Sequence, residues 1–283
     1  MSIRKSILFV AVALLMAGAA RADDAPTLDG KPLPHYSAPS TGLLAEIKKR
    51  GKLIDGVEAA TPPYEFVKDG KVVGFDIDLA QLFARDLGVE LEVVDTAWSG
   101  IIPSLYADKF DMIWSALHYT PARAKAITLS PIYATDPQVF LVRSDENGIK
   151  AVDDLKSRIV GAQLNSFITD KIKLLDSENK LRIDLKLYDA MPQAFLDLAN
   201  GNLEVVGTSH DYFSELEKAS PGKFKIAYEL PTDMNSAMVV GTRKPDKDLS
   251  DAVAAFIQKI QANGQLDELS MKWFGYKKPI PKQ

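Results

Sequence analysis

Apolar residues recur along this chain at two spacings that take turns. Ile77, Ala80, Phe83, Ala84 and Leu87 fall three and four apart, the stripe of one buried helix face. Asp76 stands before that stripe as a cap, and Gly88 stops it. Residues 91–96 instead alternate apolar and polar, which predicts a half-buried strand. Upstream, 42–50 reads as a short helix with Thr41 as N-cap and Gly51 past its end, and 52–58 as a strand. Lys68-Asp69-Gly70-Lys71 predicts a hairpin turn, because Asp-Gly tolerates the positive φ of a type I′ turn. Ser99 starts a helix through Tyr106, and the apolar run 110–117 fits a strand buried on both faces. Thr120-Pro121 is a strong helix start: an oxygen at the cap, then a fixed φ at the first helical position.

The alternation resumes with strands at 158–162, 185–188 and 203–208 and helices at 166–175 and 191–200, the latter stopped by Gly201. A further apolar strand at 236–241 and an amphipathic helix at 249–263 follow. Strands alternating with helices predict α/β architecture with largely parallel sheets. No internal repeat, low-complexity block or polar linker interrupts the order. Two lobes would therefore be joined by extended crossings, with 133–142 and 228–239 as the segments. Residues 23–40, with Pro26, Pro32, Pro34 and Pro39, read as an extended arm, poorly ordered unless packed on the body.

The first 22 residues change the picture of where the chain resides. Arg4 and Lys5 precede an apolar stretch over 7–20, and Ala20-Arg21-Ala22 is a cleavage pattern. The stretch falls short of the roughly 20 residues that span a bilayer, so it reads as a secretory signal rather than an anchor. The expected product is a soluble periplasmic protein. The absence of cysteine removes disulfides, thiol nucleophiles, Cys-ligated metal centres and a lipoprotein anchor. A net charge of −4 gives no electrostatic footprint for nucleic acid. No spacing suggests a metal cluster, and no cofactor is expected.

Several phrases then occur in a telling order. They are Thr61-Pro62-Pro63-Tyr64-Glu65-Phe66, Gly74-Phe75-Asp76-Ile77-Asp78-Leu79-Ala80 and Trp98-Ser99-Gly100-Ile101-Ile102-Pro103-Ser104-Leu105. Lys109-Phe110-Asp111, Thr120-Pro121-Ala122-Arg123, Ser130-Pro131-Ile132-Tyr133 and Lys272-Trp273-Phe274-Gly275 follow. Together they resemble the type 2 periplasmic solute-binding proteins of ABC importers, family 3, over about 41–275. The resemblance implies an α/β, two-lobed type 2 periplasmic binding protein fold with two crossover hinge strands. It divides the chain into a signal peptide (1–22), an arm (23–40), lobe one (41–135 and 237–283) and lobe two (136–236).

The resemblance also implies a site in the cleft. Arg123 would grip a ligand carboxylate, its planar fork and a helix first turn both favouring an anion. Trp98 would form an aromatic wall. Thr61 replaces a second aromatic, with Tyr64 packed into the lobe or supplying that wall. Glu58 would touch the ligand side chain, Ala116 would offer its backbone, and His118 would face the cleft. In lobe two, Ser166 keeps a hydroxyl in Gln163-Leu164-Asn165-Ser166-Phe167, where Asn165 and Phe167 are larger than the residues they replace. Ser209 stands where the family places the aspartate that holds an α-ammonium. Asp211, two residues on, or Glu58 would take that role, or the ligand is not an ordinary α-amino acid.

The function implied is capture of a small carboxylate-bearing solute by a monomer, for an ABC permease in the inner membrane. Two alternatives stay open. One is a dehydratase-like enzyme acting on prephenate-like acids, with His118, Glu58 and Asp211 as acid–base groups. No nucleophile–base spacing supports it, so no enzyme activity is expected. The other is an accessory protein serving a dehydrogenase or sensor, since fold alone does not settle function.

Overall fold

The computed structural model describes residues 26–231 and 236–281, so the expected signal segment lies outside the described residues. Two five-stranded sheets organise the chain. The first runs in the order Glu90–Asp95, Lys52–Val57, Met112–Ile113, Gly241–Thr242, Thr128–Leu129. The second runs Asp184–Tyr188, Ile159–Gln163, Val205–Ser209, Gln138–Arg143, Phe224–Glu229. In each, the neighbours built from βαβ units pair in parallel, Lys52–Val57 with Glu90–Asp95 and Ile159–Gln163 with Asp184–Tyr188. Strands arriving from the other lobe pair antiparallel: Gly241–Thr242 in the first sheet, Gln138–Arg143 in the second. The chain passes between the sheets along a short antiparallel ladder, Ala134–Thr135 against Ala237–Met238.

Both faces of each sheet are covered. Helix Phe75–Leu87 buries Phe75, Leu79, Ala80 and Phe83 against Trp114 and against Phe256 of helix Lys247–Ala262. In the second lobe, helices Phe167–Asn179 and Met191–Asn200 cover opposite faces through Ile168 and Ile172 on one side and Ala194 and Leu198 on the other. Burying these side chains at ~25 cal/mol per Å² of apolar surface is what makes two lobes stable without disulfides. Among the described residues no helix is long and apolar enough to cross a membrane.

Local chemistry explains most element ends. Asp69 and Gly70 both take positive φ (52° and 74°), the turn that Asp-Gly predicts. Gly51, Gly88 and Gly201 close their helices in the left-handed conformation. Two expected caps are different. Gly42 rather than Thr41 precedes Leu43–Arg50, while Thr41 Oγ1 donates to Glu46. Gly74 precedes Phe75–Leu87, and Asp76 sits inside the first turn, fully buried, its Oδ2 accepting from Ala116 N (2.7 Å) and Tyr133 OH (2.7 Å). Gly74 is required by space: a Cβ there would lie 1.9 Å from Tyr64 O, at φ +147°.

The expected strand over 110–117 pairs only at Met112–Ile113, although its neighbours are buried. The expected strand over 236–241 divides into the crossing pair Ala237–Met238 and the sheet pair Gly241–Thr242. Helices His210–Ala219 and Gln265–Phe274 were not anticipated. The arm does pack on the body: Leu33 is buried, and Tyr36 OH donates to Asp246 (2.8 Å) with the Arg243 guanidinium 4.0 Å from its ring centroid.

Candidate functional site

Ligand sites in open α/β sheets form beyond the carboxyl ends of the strands. Here both lobes turn those ends toward one pocket. Glu58, Ala60 and Thr61 follow strand Lys52–Val57, and Ser115, Ala116 and His118 follow Met112–Ile113. Opposite them lie Gln163, Ser166 and Phe167 after strand Ile159–Gln163, with Thr208 and Ser209 ending Val205–Ser209. The pocket encloses about 630 Å³ of space, its open mouth included. Among the described residues that line it there are two carboxylates, Glu58 and Asp136, and no lysine or arginine.

The lobes are closed on one another. Gln163 Nε2 donates to both Glu58 carboxylate oxygens, at 2.6 and 2.8 Å. Tyr212 OH donates to Ala60 O (3.0 Å) and Trp98 Nε1 to Asn165 O (3.1 Å). The His118 and Phe167 rings stack at 5.4 Å and 11°. Burial pushes the Glu58 carboxyl up to about 7, against the pull of its hydrogen bonds from Gln163 and from the Trp98 backbone. Burial, and then the Arg123 charge, push His118 down to about 4, so its ring is neutral at pH 7. The partners assign its tautomer: Nδ1–H donates to Ala116 O (3.1 Å) and Nε2 accepts from the Gln138 amide (3.2 Å).

Of the residues expected in the site, Glu58, Thr61, Trp98, Ala116, His118, Ser166 and Ser209 line the pocket. Three expectations need correction. Arg123 does not face the main pocket. Thr120 Oγ1 caps its helix by accepting Arg123 N (3.1 Å), and the guanidinium turns to backbone carbonyls, donating to His118 O (2.7 Å) and Asn165 O (3.0 Å). It lines an adjoining recess with Trp98, Asn165, Asp170 and Asp29, 5.1 Å from the Trp98 ring centroid. Burial lowers it to about 10, partly offset by Asp170 and Asp29, so it stays charged.

Ala116 has no free backbone N–H to offer, and its carbonyl already accepts one bond. Its N–H is given to Asp76 Oδ2 and its carbonyl to His118, at a φ of +42°. Asp211 is turned away from the cleft: it is 3% exposed, accepts from Tyr64 OH and Tyr276 OH, and is paired with Lys278. Tyr64 is buried with it, in the lobe. The Ser166 and Ser209 hydroxyls both cap helices, accepting from Thr169 N and Tyr212 N at 3.3 Å each.

Sequence reasoning passed over Asp136, Gln138, Thr208, Tyr212, Met191 and Met238, all of which line the pocket. Asp136 carried one signal, a lone charge followed by proline within the apolar crossing segment 133–142. The methionines carried none, since burial in a pocket wall and burial in a core look alike in sequence.

Comparison with known proteins agrees with this geometry. The profile of the bacterial extracellular solute-binding proteins, family 3, matches residues 53–276. The L-cystine-binding protein TcyJ of Escherichia coli (strain K12) is 31% identical over 236 residues, covering 83% of this chain and 86% of that protein. The arginine-binding extracellular protein ArtP of Bacillus subtilis (strain 168) is 28% identical, covering 79% and 86%. Among solved structures, holo ArgBP from T. maritima matches with a TM-score of 0.72 at 32% identity, over 81% of this chain and 99% of that one. An ancestral amino acid-binding protein, a precursor of cyclohexadienyl dehydratase, matches with a TM-score of 0.73 at 31% identity, over 82% and 99%. A two-lobed α/β chain closed over an interlobe pocket, matched along most of its length by this profile, belongs to the bacterial extracellular solute-binding proteins, family 3.

Proposed function

We propose that this protein captures an amino acid between its lobes in the periplasm and delivers it, as a monomer, to an ABC permease of the inner membrane. The observation that carries the reading is the pocket itself: both lobes supply its polar lining, and direct bonds such as Gln163 to Glu58 join them across it. Names among the relatives, binders of cystine and arginine, point to the same ligand class.

Within this reading the ligand carboxylate is received at the N-terminus of helix Phe167–Asn179. Ser166, Phe167 and Ile168 line the pocket there. The first-turn N–H groups of a helix lack intrahelical acceptors and attract an anion. Arg123 supports this end from behind. It fixes the Asn165 and His118 carbonyls and adds a positive charge close by, so it is a positioning residue. Binding rather than catalysis fits the polar groups present: His118 is neutral with both ring nitrogens engaged, and Asp211 is withdrawn from the pocket.

Titration calorimetry of the standard amino acids and L-cystine tests the reading. At least one should bind, and its decarboxylated amine should bind at least tenfold more weakly. Absence of binding by every amino acid would refute it.

A further inference from the structure

Asp136 is 0% exposed, lines the pocket and is only half satisfied. Its Oδ1 accepts Asp211 N at 3.2 Å, while Oδ2 has no hydrogen-bond partner among the described residues. Its backbone is fixed, because Asp136 N donates to Ser236 O (2.9 Å) at the passage between the sheets and Pro137 follows. Nearby charge does not neutralise it. Lys278 is paired with Asp211, so whenever Asp136 is ionised the three side chains carry one uncompensated negative charge. The other groups packed around it are uncharged: the Ser209 hydroxyl, which favours the ionised carboxyl from beside it, the neutral His118, and the phenols of Tyr64 and Tyr276, which bond Asp211. Burial, and after it Asp211, push the Asp136 carboxyl well above the usual range.

A buried carboxylate with a free oxygen is costly unless a proton or a cation meets it. Among the described residues the pocket wall supplies no lysine or arginine, and its other carboxylate, Glu58, already has both oxygens bonded by Gln163. The free oxygen of Asp136 is thus the vacant acceptor for a positive nitrogen. Resting on the amino-acid reading above, we propose that Asp136 receives the α-ammonium of the bound ligand.

The test compares Asp136→Asn with the parent protein by titration calorimetry. The probes are the amino acids that bind the parent and, for each, the analogue with hydroxyl in place of the α-amine. The Asn side chain keeps an oxygen for Asp211 N but carries no charge. Removing one partner of a buried charge pair should weaken amino-acid binding at least ~30-fold. The hydroxy analogue should change by less than about threefold, since it never formed the pair. Ligand-free Asp136→Asn should melt no lower than the parent. Equal loss for both ligands, or no loss for either, overturns the assignment. If the Asn variant does not fold, Asp136→Ser gives the same comparison. If the parent binds no amino acid at all, the reading of the pocket falls and the assignment with it, a result distinct from a lost preference for the amine.

Discussion

Lys278 offers a sharp test of how the C-terminal segment holds the lobes together. Its ammonium pairs with Asp211 across the lobe boundary, with side-chain exposures of 2% and 4%. It also lies 5.5, 4.3 and 5.7 Å from the ring centroids of Tyr64, Phe274 and Tyr276. The Lys278→Met variant keeps the apolar stem and deletes the charge. Breaking a buried pair costs about 3–5 kcal/mol, because the remaining charge stays in a medium of low polarity. Asp211 would keep its bonds from the two phenols but would face Asp136 without compensation, so we expect about 3 kcal/mol. For a chain of this size that is a fall in Tm of about 6–12 °C. Scanning calorimetry reads the shift, and small-angle scattering of the ligand-free variant should show a wider mean lobe separation. Adding Asp211→Asn should return most of the loss, since a neutral pair no longer strands a charge. The reasoning is refuted if Lys278→Met lies within about 1 kcal/mol of the parent. It also fails if Asp211→Asn is as harmful in the Lys278→Met background as alone.

Three other outcomes are expected. Glu58 has a folded-state pKa raised from 4.5 to about 7, so its favourable contribution is present below pH 4.5 and is lost as pH rises through 7. In Glu58→Gln, urea unfolding across that range should show a pH-dependent loss smaller by up to about 3 kcal/mol. Gly74→Ala should destabilise by at least ~3 kcal/mol in the same assay, because its Cβ would strike the Tyr64 carbonyl at a φ foreign to alanine. Arg123→Ala removes the charge that helps depress His118, so the His118 titration followed by NMR should move up from about 4 while burial keeps it below 6.5; an unmoved titration would count against the contact.

Much of the fold was legible because it depends on neighbours in sequence. The stripe from Ile77 to Leu87, the Asp69-Gly70 turn, the Thr120-Pro121 start and the glycine stops all follow from periodicity and backbone preference. The errors share a cause. Asp76 reads as a cap by local rules, yet its carboxylate is drawn inward by Ala116 N and Tyr133 OH, 40 and 57 residues away. Helix His210–Ala219 was hidden because its buried side, Asp211 and Tyr212, is partly polar and is satisfied by distant groups.

The site divides in the same way. The resemblance to a known family was enough to name Glu58, Thr61, Trp98, Ala116, His118, Ser166 and Ser209, which the structure brings to one pocket at strand ends and helix starts. It could not fix where long or charged side chains turn. Arg123 found two carbonyls beside the pocket, Asp211 found Lys278, and Asp136 was left with a free oxygen at the crossing. Those choices depend on which partners lie within about 3 Å once the lobes close, and hydrogen bonds weaken too steeply with distance and angle to be read from spacing along a chain. The sequence by itself determined the alternating elements and, through its resemblance to a known family, the two-lobed plan and part of the pocket lining. Only the tertiary structure decided which charged side chains are paired and which carboxyl oxygen is left without a partner among the described residues, because that depends on groups brought together from distant parts of the chain.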